Sequence, residues 1–205
     1  MRGLLNVDRA FFPARNAYGF PELDPVSEVV EYVEWLPFPE RSKASLYGSS
    51  GIHFFCEDFT FESVWNQPTK YIHPVSYSDN LKLFKYVIQP DFSLYYNFPV
   101  AVQIFNKYRN HWIAKYFAFH GVTIIPNINV STPECWDWSF IGYPQHSVVA
   151  WSDIGSYRDK SDRAILMASY EEMLKRLEPL QVLYFTRNSE NVPSECVPIV
   201  INYRK

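Results

Sequence analysis

Five stretches of this chain carry apolar runs and read as strands: IHFFCEDF (52–59), ending in two acids, KYVIQPDFS (85–93), VTIIPNINV (122–130), interrupted by Pro126, SVVAWSDIG (147–155) and QVLYF (181–185). A strand with one wet face alternates polar and apolar residues, so a strand apolar throughout is covered on both faces. Longer amphipathic stretches lie between them. PVAVQIFNKYRNHWIAKYFAFHG (99–121) reads as a helix with Pro99 in its first turn and Gly121 at its end. SDRAILMASYEEMLKRLEP (161–179) reads as another, with an Asp/Ser start, Lys-Arg in its last turn and Pro179 as a stop. TFESVWNQPTKYI (60–72) reads as a third, with Thr60 as a cap and Pro68 limiting its length. VVEYVEWLPF (29–38) and VPIVINY (197–203) suit flanking strands. The order predicts an α/β fold with a mostly parallel sheet and helices packed on it, as an open doubly wound sheet or a small, incomplete β/α barrel.

A chain of 205 residues fits a single α/β domain, 1–205. Pro13, Pro21 and Pro25 mark residues 1–28 as an extended arm laid over it. The 18% of aromatic residues supply a large core, and a net charge of −3 argues against an overall basic surface. Cys56, Cys135 and Cys196 are widely spaced, form no CxxC or Cys/His cluster, and read as thiols of a reducing compartment. No signal peptide or membrane span is visible, which gives the expectation of a soluble, cytoplasmic protein. With 7 glycines there is no GxGxxG or Walker loop, and no GxSxG elbow.

In either architecture ligands bind at the carboxyl ends of the strands. There the chain places Glu57 and Asp58, then Asp91 and Ser93, then Asn127, Asn129 and Ser131, then Ser152 and Asp153, with His53 just before the first pair. Asp58 and Asp91 are candidates to divide into general acid and base or to share a divalent cation. The plain alternative is that Asp58, Ser93 and their neighbours are helix caps, and that His53 is a satisfied core residue. On the 99–121 helix, Lys107, His111 and Lys115 form one stripe and Tyr108, Trp112 and Tyr116 the next, with Arg109 nearby. Such a surface follows a phosphate backbone, or it is an ordinary amphipathic helix with its aromatic stripe on the sheet and its charged stripe solvated.

The strings HFFCEDFTFESVWNQPTKYI, PDFSLYYNFPVAVQIFNKYRNHW, GVTIIP and SYEEMLKRLEP resemble a domain-of-unknown-function family of bacteriophages, plasmids and other mobile elements, over roughly residues 30 to 185. His53 and Asp58 match its histidine-led strand, Pro90 to Ser93 its turn, and Asn106, Tyr108 and Arg109 its Asn-x-Tyr-Arg element. Where that family has a Trp-Ser turn, this chain reads NINVS. The resemblance implies a viral or mobile-element context. The readings are a protein acting on nucleic acid or a nucleotide, with Asp58, Asp91 and His53 catalytic and Ser93, Asn106, Arg109 and Asn129 holding the ligand; a non-catalytic binder of a nucleotide or a host protein; and a glycosidase-like hydrolase.

Overall fold

The computed structural model describes residues 6–155 and 160–201. Four parallel strands, β1 (Glu34–Pro37), β2 (Ser50–His53), β3 (Tyr86–Ile88) and β4 (Ile124–Ile125), pair in that order. A second set, β5 (Val148–Ser152), β6 (Gln181–Thr186) and β7 (Val197–Val200), is also parallel and in order. Pro126 ends β4, yet its carbonyl accepts from Ala150 N at 2.8 Å and Ile128 N donates to Ala150 O at 2.9 Å, a parallel bridge between Asn127 and Ala150. The ladder therefore passes from β4 to β5 across the proline. A doubly wound sheet reverses its strand order at a switch point. Here the order is sequential, and of the two expected architectures the structure takes the incomplete barrel.

The curl of the sheet shows in its inner layer. Phe55, Ile88, Ile125, Val148, Ala150, Leu183 and Phe185 form one buried cluster, with Trp35, Tyr86 and Ile199 packed against it. The Trp35 and Phe185 rings lie 5.2 Å apart, so β1 meets β6 across the interior. Gly51 makes room for this: a Cβ there would stand 2.5 Å from the Trp35 ring. No ladder joins β7 to β1 among the described residues, and the barrel stays open.

The alternate residues of the strands point outward to the helices α1 (Ser63–Asn66), α2 (Val100–Phe119), α3 (Trp136–Ser139) and α4 (Lys160–Leu177). The helix expected over 60–72 breaks into a 3-10 turn at Asp58–Thr60, the single turn of α1, and a 3-10 turn at Pro68–Tyr71. Pro68 offers no N–H to a helix, and Thr60 is no cap, since its hydroxyl donates back to Glu57 O at 2.7 Å. α2 is the long element; Pro99 lies just outside it as the N-cap residue, and Gly121, at φ 88°, carries the chain away from its end. Lys175 and Arg176 stand in the last turn of α4, as its C-terminal partial negative charge favours. Of the stretch expected as a last strand, 202–203 lie outside the described residues, as do residues 1–5 of the arm.

From residue 6 to the start of β1 the chain forms no helix or strand and is tied down by side chains. Trp112 Nε1 donates to Ala10 O at 3.1 Å, the His111 ring bonds Pro21 O at 2.9 Å, and Val30 N donates to the Gln181 side chain at 2.8 Å. Trp112 is fully buried among Trp65, Tyr116 and Phe12. Trp112→Ala would leave a cavity at the joint of arm, α1 and α2 and cost about 3–5 kcal/mol. Urea unfolding checks this, and a shift in midpoint worth under about 1 kcal/mol would mean that the joint collapses without loss.

Candidate functional site at the strand ends

Asp91 follows β3 through Gln89 and Pro90, and the turn it belongs to is gripped by α2. Asn110 accepts from Phe92 N at 2.8 Å and donates to Phe92 O at 3.1 Å, so one buried amide satisfies both backbone groups of the next residue. Asn106 donates to Ser93 O at 2.9 Å. From the β2 side, Asp58 Oδ2 accepts from Ser93 N at 3.1 Å and Asp58 Oδ1 from Ser93 Oγ at 3.0 Å. The turn is thus fixed on both flanks. Asp58 ties one strand-end turn to another and caps no helix of its own.

The partly buried carboxyl of Asp91 is held from β4. Asn127 Nδ2 and Asn129 Nδ2 both donate to Oδ1, at 2.7 and 2.6 Å. Oδ2 takes no part in that clamp. Asn127 is placed in turn by its backbone N donating to Gln89 Oε1 at 3.0 Å, and by its carbonyl accepting from Tyr143 OH at 2.5 Å. Burial, and next the charge of Asp58, push the Asp91 carboxyl up to about 7, against the pull of the two amide donors. Burial also raises Asp58, opposed by its two bonds from Ser93 and by Arg109. Both carboxyls are thus shifted upward by burial, Asp58 with hydrogen bonds to both of its oxygens and Asp91 with hydrogen bonds to one. The loop in which this chain reads NINVS supplies both amides.

Beside the pair, Cys56, which the sequence offered only as a lone thiol, is half-buried; burial, with smaller contributions from Asp91, Asp58 and Glu57, drives its thiol up to about 11. His53 is fully buried and burial pushes it down to about 3, so it is neutral and unsuited to be a base. Its Nδ1 accepts from Phe55 N at 3.3 Å, which puts the proton on Nε2, a buried donor with no partner among the described residues. Ser152 and Asp153 serve the next strand ends: Ile154 N donates to Ser152 Oγ, and Thr186 Oγ1 donates to Asp153 Oδ2 at 2.9 Å. Among the described residues no group of three or more His, Cys, Asp or Glu gathers as a metal site, so a cation at Asp58 and Asp91 would draw its remaining ligands from amides, water or substrate.

The charged stripe of α2 is not a surface. Lys107 and His111 are fully buried, and burial holds both well below their usual values. Lys107 Nζ donates to Ser139 O at 2.6 Å and lies 3.5 Å from the Tyr143 ring centre, while Lys115 pairs with Asp24 at 2.8 Å. Arg109 donates to both Glu62 oxygens at 2.6 Å and lies over the Phe92 ring, 3.5 Å from its centre. The arm, α3 and α1 cover the residues that would follow a phosphate backbone. Asn110, Glu62, Gln89 and Tyr143 escaped the sequence reading. Only Asn110 carried a signal, standing one helical turn beyond Asn106 on the same face.

A curled parallel sheet with a carboxylate pair and an amide clamp at its strand ends defines an α/β protein with a preformed polar site. Residues 12–204 match the model of a family described as a domain of unknown function, DUF4417, and the chain belongs to that family. The Gene 1 protein of Mycobacterium phage L5 is 31% identical over 182 residues, 89% of this chain and 76% of the phage protein. That of Mycobacterium phage D29 is 30% identical over 184 residues, 90% of this chain and 66% of its own length. The relatives are phage proteins, and no solved structure matches. No helix among the described residues is long and apolar enough to cross a membrane.

Two consequences follow for solution behaviour. Folding raises the Asp91 carboxyl from its ordinary 3.8 to about 7, so the folded form gains relative stability only where the proton stays on, below about pH 4. That gain is lost as pH rises through 7, at up to about 1.4 kcal/mol per pH unit. Asp91→Asn should therefore melt higher than the wild type at pH 8 and nearly with it at pH 4; the reverse order would contradict the buried-acid geometry. The Cys56 thiol, held near 11, should react with iodoacetamide at pH 7.5 more than tenfold slower than a free cysteine peptide, as its thiolate fraction requires.

Proposed function

We propose that the strand-end pair is an acid/base centre acting on a nucleotide-class substrate, with Asp91 as the proton-transferring group. The observation that supports this is the convergence of Asn127 and Asn129 on Oδ1 alone. One oxygen is fixed while the other stays available, on a carboxyl that titrates near neutrality. Asp58 acts through its charge, since both of its oxygens are occupied by Ser93. That occupation leaves the glycosidase-like reading without a second free carboxylate. The burial of Lys107 and His111 and the pairing of Arg109 with Glu62 favour a small nucleotide-class ligand over a nucleic-acid strand, because α2 offers no cationic track.

A panel of ribo- and deoxyribonucleotides, incubated with the purified protein and followed by chromatography, tests the reading. Turnover should depend on a group titrating near 7, and Asp91→Asn should reduce it by about 10²–10⁴-fold with the circular dichroism spectrum unchanged. Asp58→Asn removes the charge that helps to raise Asp91 and should move that limb of the pH profile downward. Wild-type binding without turnover would turn the reading into that of a sequestering protein. Full activity in Asp91→Asn would sink it.

A further inference from the structure

The two turns that carry the carboxylates also carry the most conspicuous exposed rings near the site. Phe59, adjoining Asp58, is 79% exposed; Tyr95, Tyr96 and Phe98, just beyond Ser93, are 46%, 65% and 38% exposed. A single exposed ring on a surface needs no explanation. Four rings on the two turns that Asp58 ties together are a different matter, because exposed apolar area of this kind marks binding surfaces.

The second turn is built to hold its rings out. Leu94 is buried beneath it. Phe98 N donates to Tyr95 O at 2.9 Å, and Gln103 of α2 donates to Phe98 O at 2.9 Å. The Tyr95 and Phe98 rings meet edge to face at 4.9 Å. Rings fixed before a ligand arrives lose little freedom on binding it.

The neighbouring polar groups indicate what lies on such rings. Asp91, whose Oδ2 lies outside the amide clamp, can accept from a ring N–H or amino group as a carboxylate and donate to a ring nitrogen or keto oxygen as an acid, with the Asp58 charge beside it. A planar, nitrogen-rich heterocycle satisfies rings and carboxyls at once. The cationic groups of α2 are buried or paired, so a phosphate would find no counterpart there. We infer that Phe59, Tyr95, Tyr96 and Phe98 form the stacking half of the site and that it recognises the base of the ligand, as in a nucleobase or nucleoside. The inference rests on the acid/base reading above and names the part of the substrate that the site holds.

The test uses the free nucleosides adenosine, guanosine, cytidine and uridine with the full chain, by saturation-transfer NMR and intrinsic-fluorescence titration. At least one should bind, and its monophosphate should bind no more than about threefold tighter. Stacking contributes roughly 5- to 150-fold in affinity per base, so Tyr96→Leu and Phe98→Leu should each weaken binding at least about fivefold. Both positions are exposed, and unchanged melting temperatures would show that the fold is kept. If wild-type protein binds no nucleoside yet turns over a nucleotide, the stacking proposal fails while the acid/base reading stands. Unaltered nucleoside affinity in both leucine variants would likewise overturn it. So would a concentration-dependent dimer that Tyr96→Leu dissolves, since the rings would then meet a second copy of this chain.

Discussion

The structure depends on a buried amide. Asn110 stands in the middle of α2 and satisfies the N–H and C=O of Phe92, one residue beyond Asp91. A backbone pair left bare in this interior would cost a few kcal/mol, so the turn is anchored to the helix rather than merely resting on it. Asn106 repeats the device one helical turn earlier on Ser93. α2 thus behaves as a ruler along which the strand-end turn of β3 is fixed, and the placement of Asp91 follows from that. Asp58 then needs only Ser93 to join the second turn to the first.

This use of α2 explains the electrostatics of the site. A helix that spends its polar side chains inward cannot also display them, and the cations go the same way: Lys107 to Ser139 and Tyr143, His111 to Pro21, Arg109 to Glu62 and the face of Phe92. Around the Asp58–Asp91 pair there remain amides, a hydroxyl and aromatic rings, with Arg109 acting at second hand. In such surroundings nothing close by compensates a second negative charge, and Asp91 keeps its proton towards neutrality. The perturbed acid is thus a consequence of how the helix is built in.

Much of this was legible from residue order. The apolar strands, the parallel pairing and the bounds of α2 rest on local patterns that tertiary contacts reinforce, and Asp58, Asp91, Ser93 and Asn129 stand together where the strand-end rule puts them. The choice between sheet and barrel was not legible, because it turns on Trp35 meeting Phe185, residues 150 positions apart with no mark of their pairing. The break of the 60–72 helix was half legible: Pro68 announces a stop, but the bonds that Asp58 accepts from Ser93, far along the chain, carry no local mark. On α2 the charged stripe was misread in both forms considered, as a phosphate track and as a solvated face, while Trp112 and Tyr116 of the aromatic stripe are buried in the core as the second form expects. Periodicity reports which residues share a face, and says nothing of whether a distant segment lies on that face.

The distant segment here is the arm. Pro21 O meets His111, Asp24 meets Lys115 and Ala10 O meets Trp112, so three residues of α2 are tied to a chain with no secondary structure of its own. Its later residues turn to the strands: Val148 N donates to Val26 O, Val26 N to Ser147 Oγ, and Val30 N to the Gln181 side chain, all at the amino ends of β5 and β6. An open barrel leaves unpaired groups at its rim and an uncovered flank. In this chain the arm meets part of both needs, covering the amino ends of β5 and β6 and one flank of α2. The opposite rim, where the strands end, is left to the Asp58–Asp91 pair and the exposed rings. The asymmetry follows from the direction of the strands: all of them end on the rim that carries the carboxylates, and the arm lies against the starts of β5 and β6.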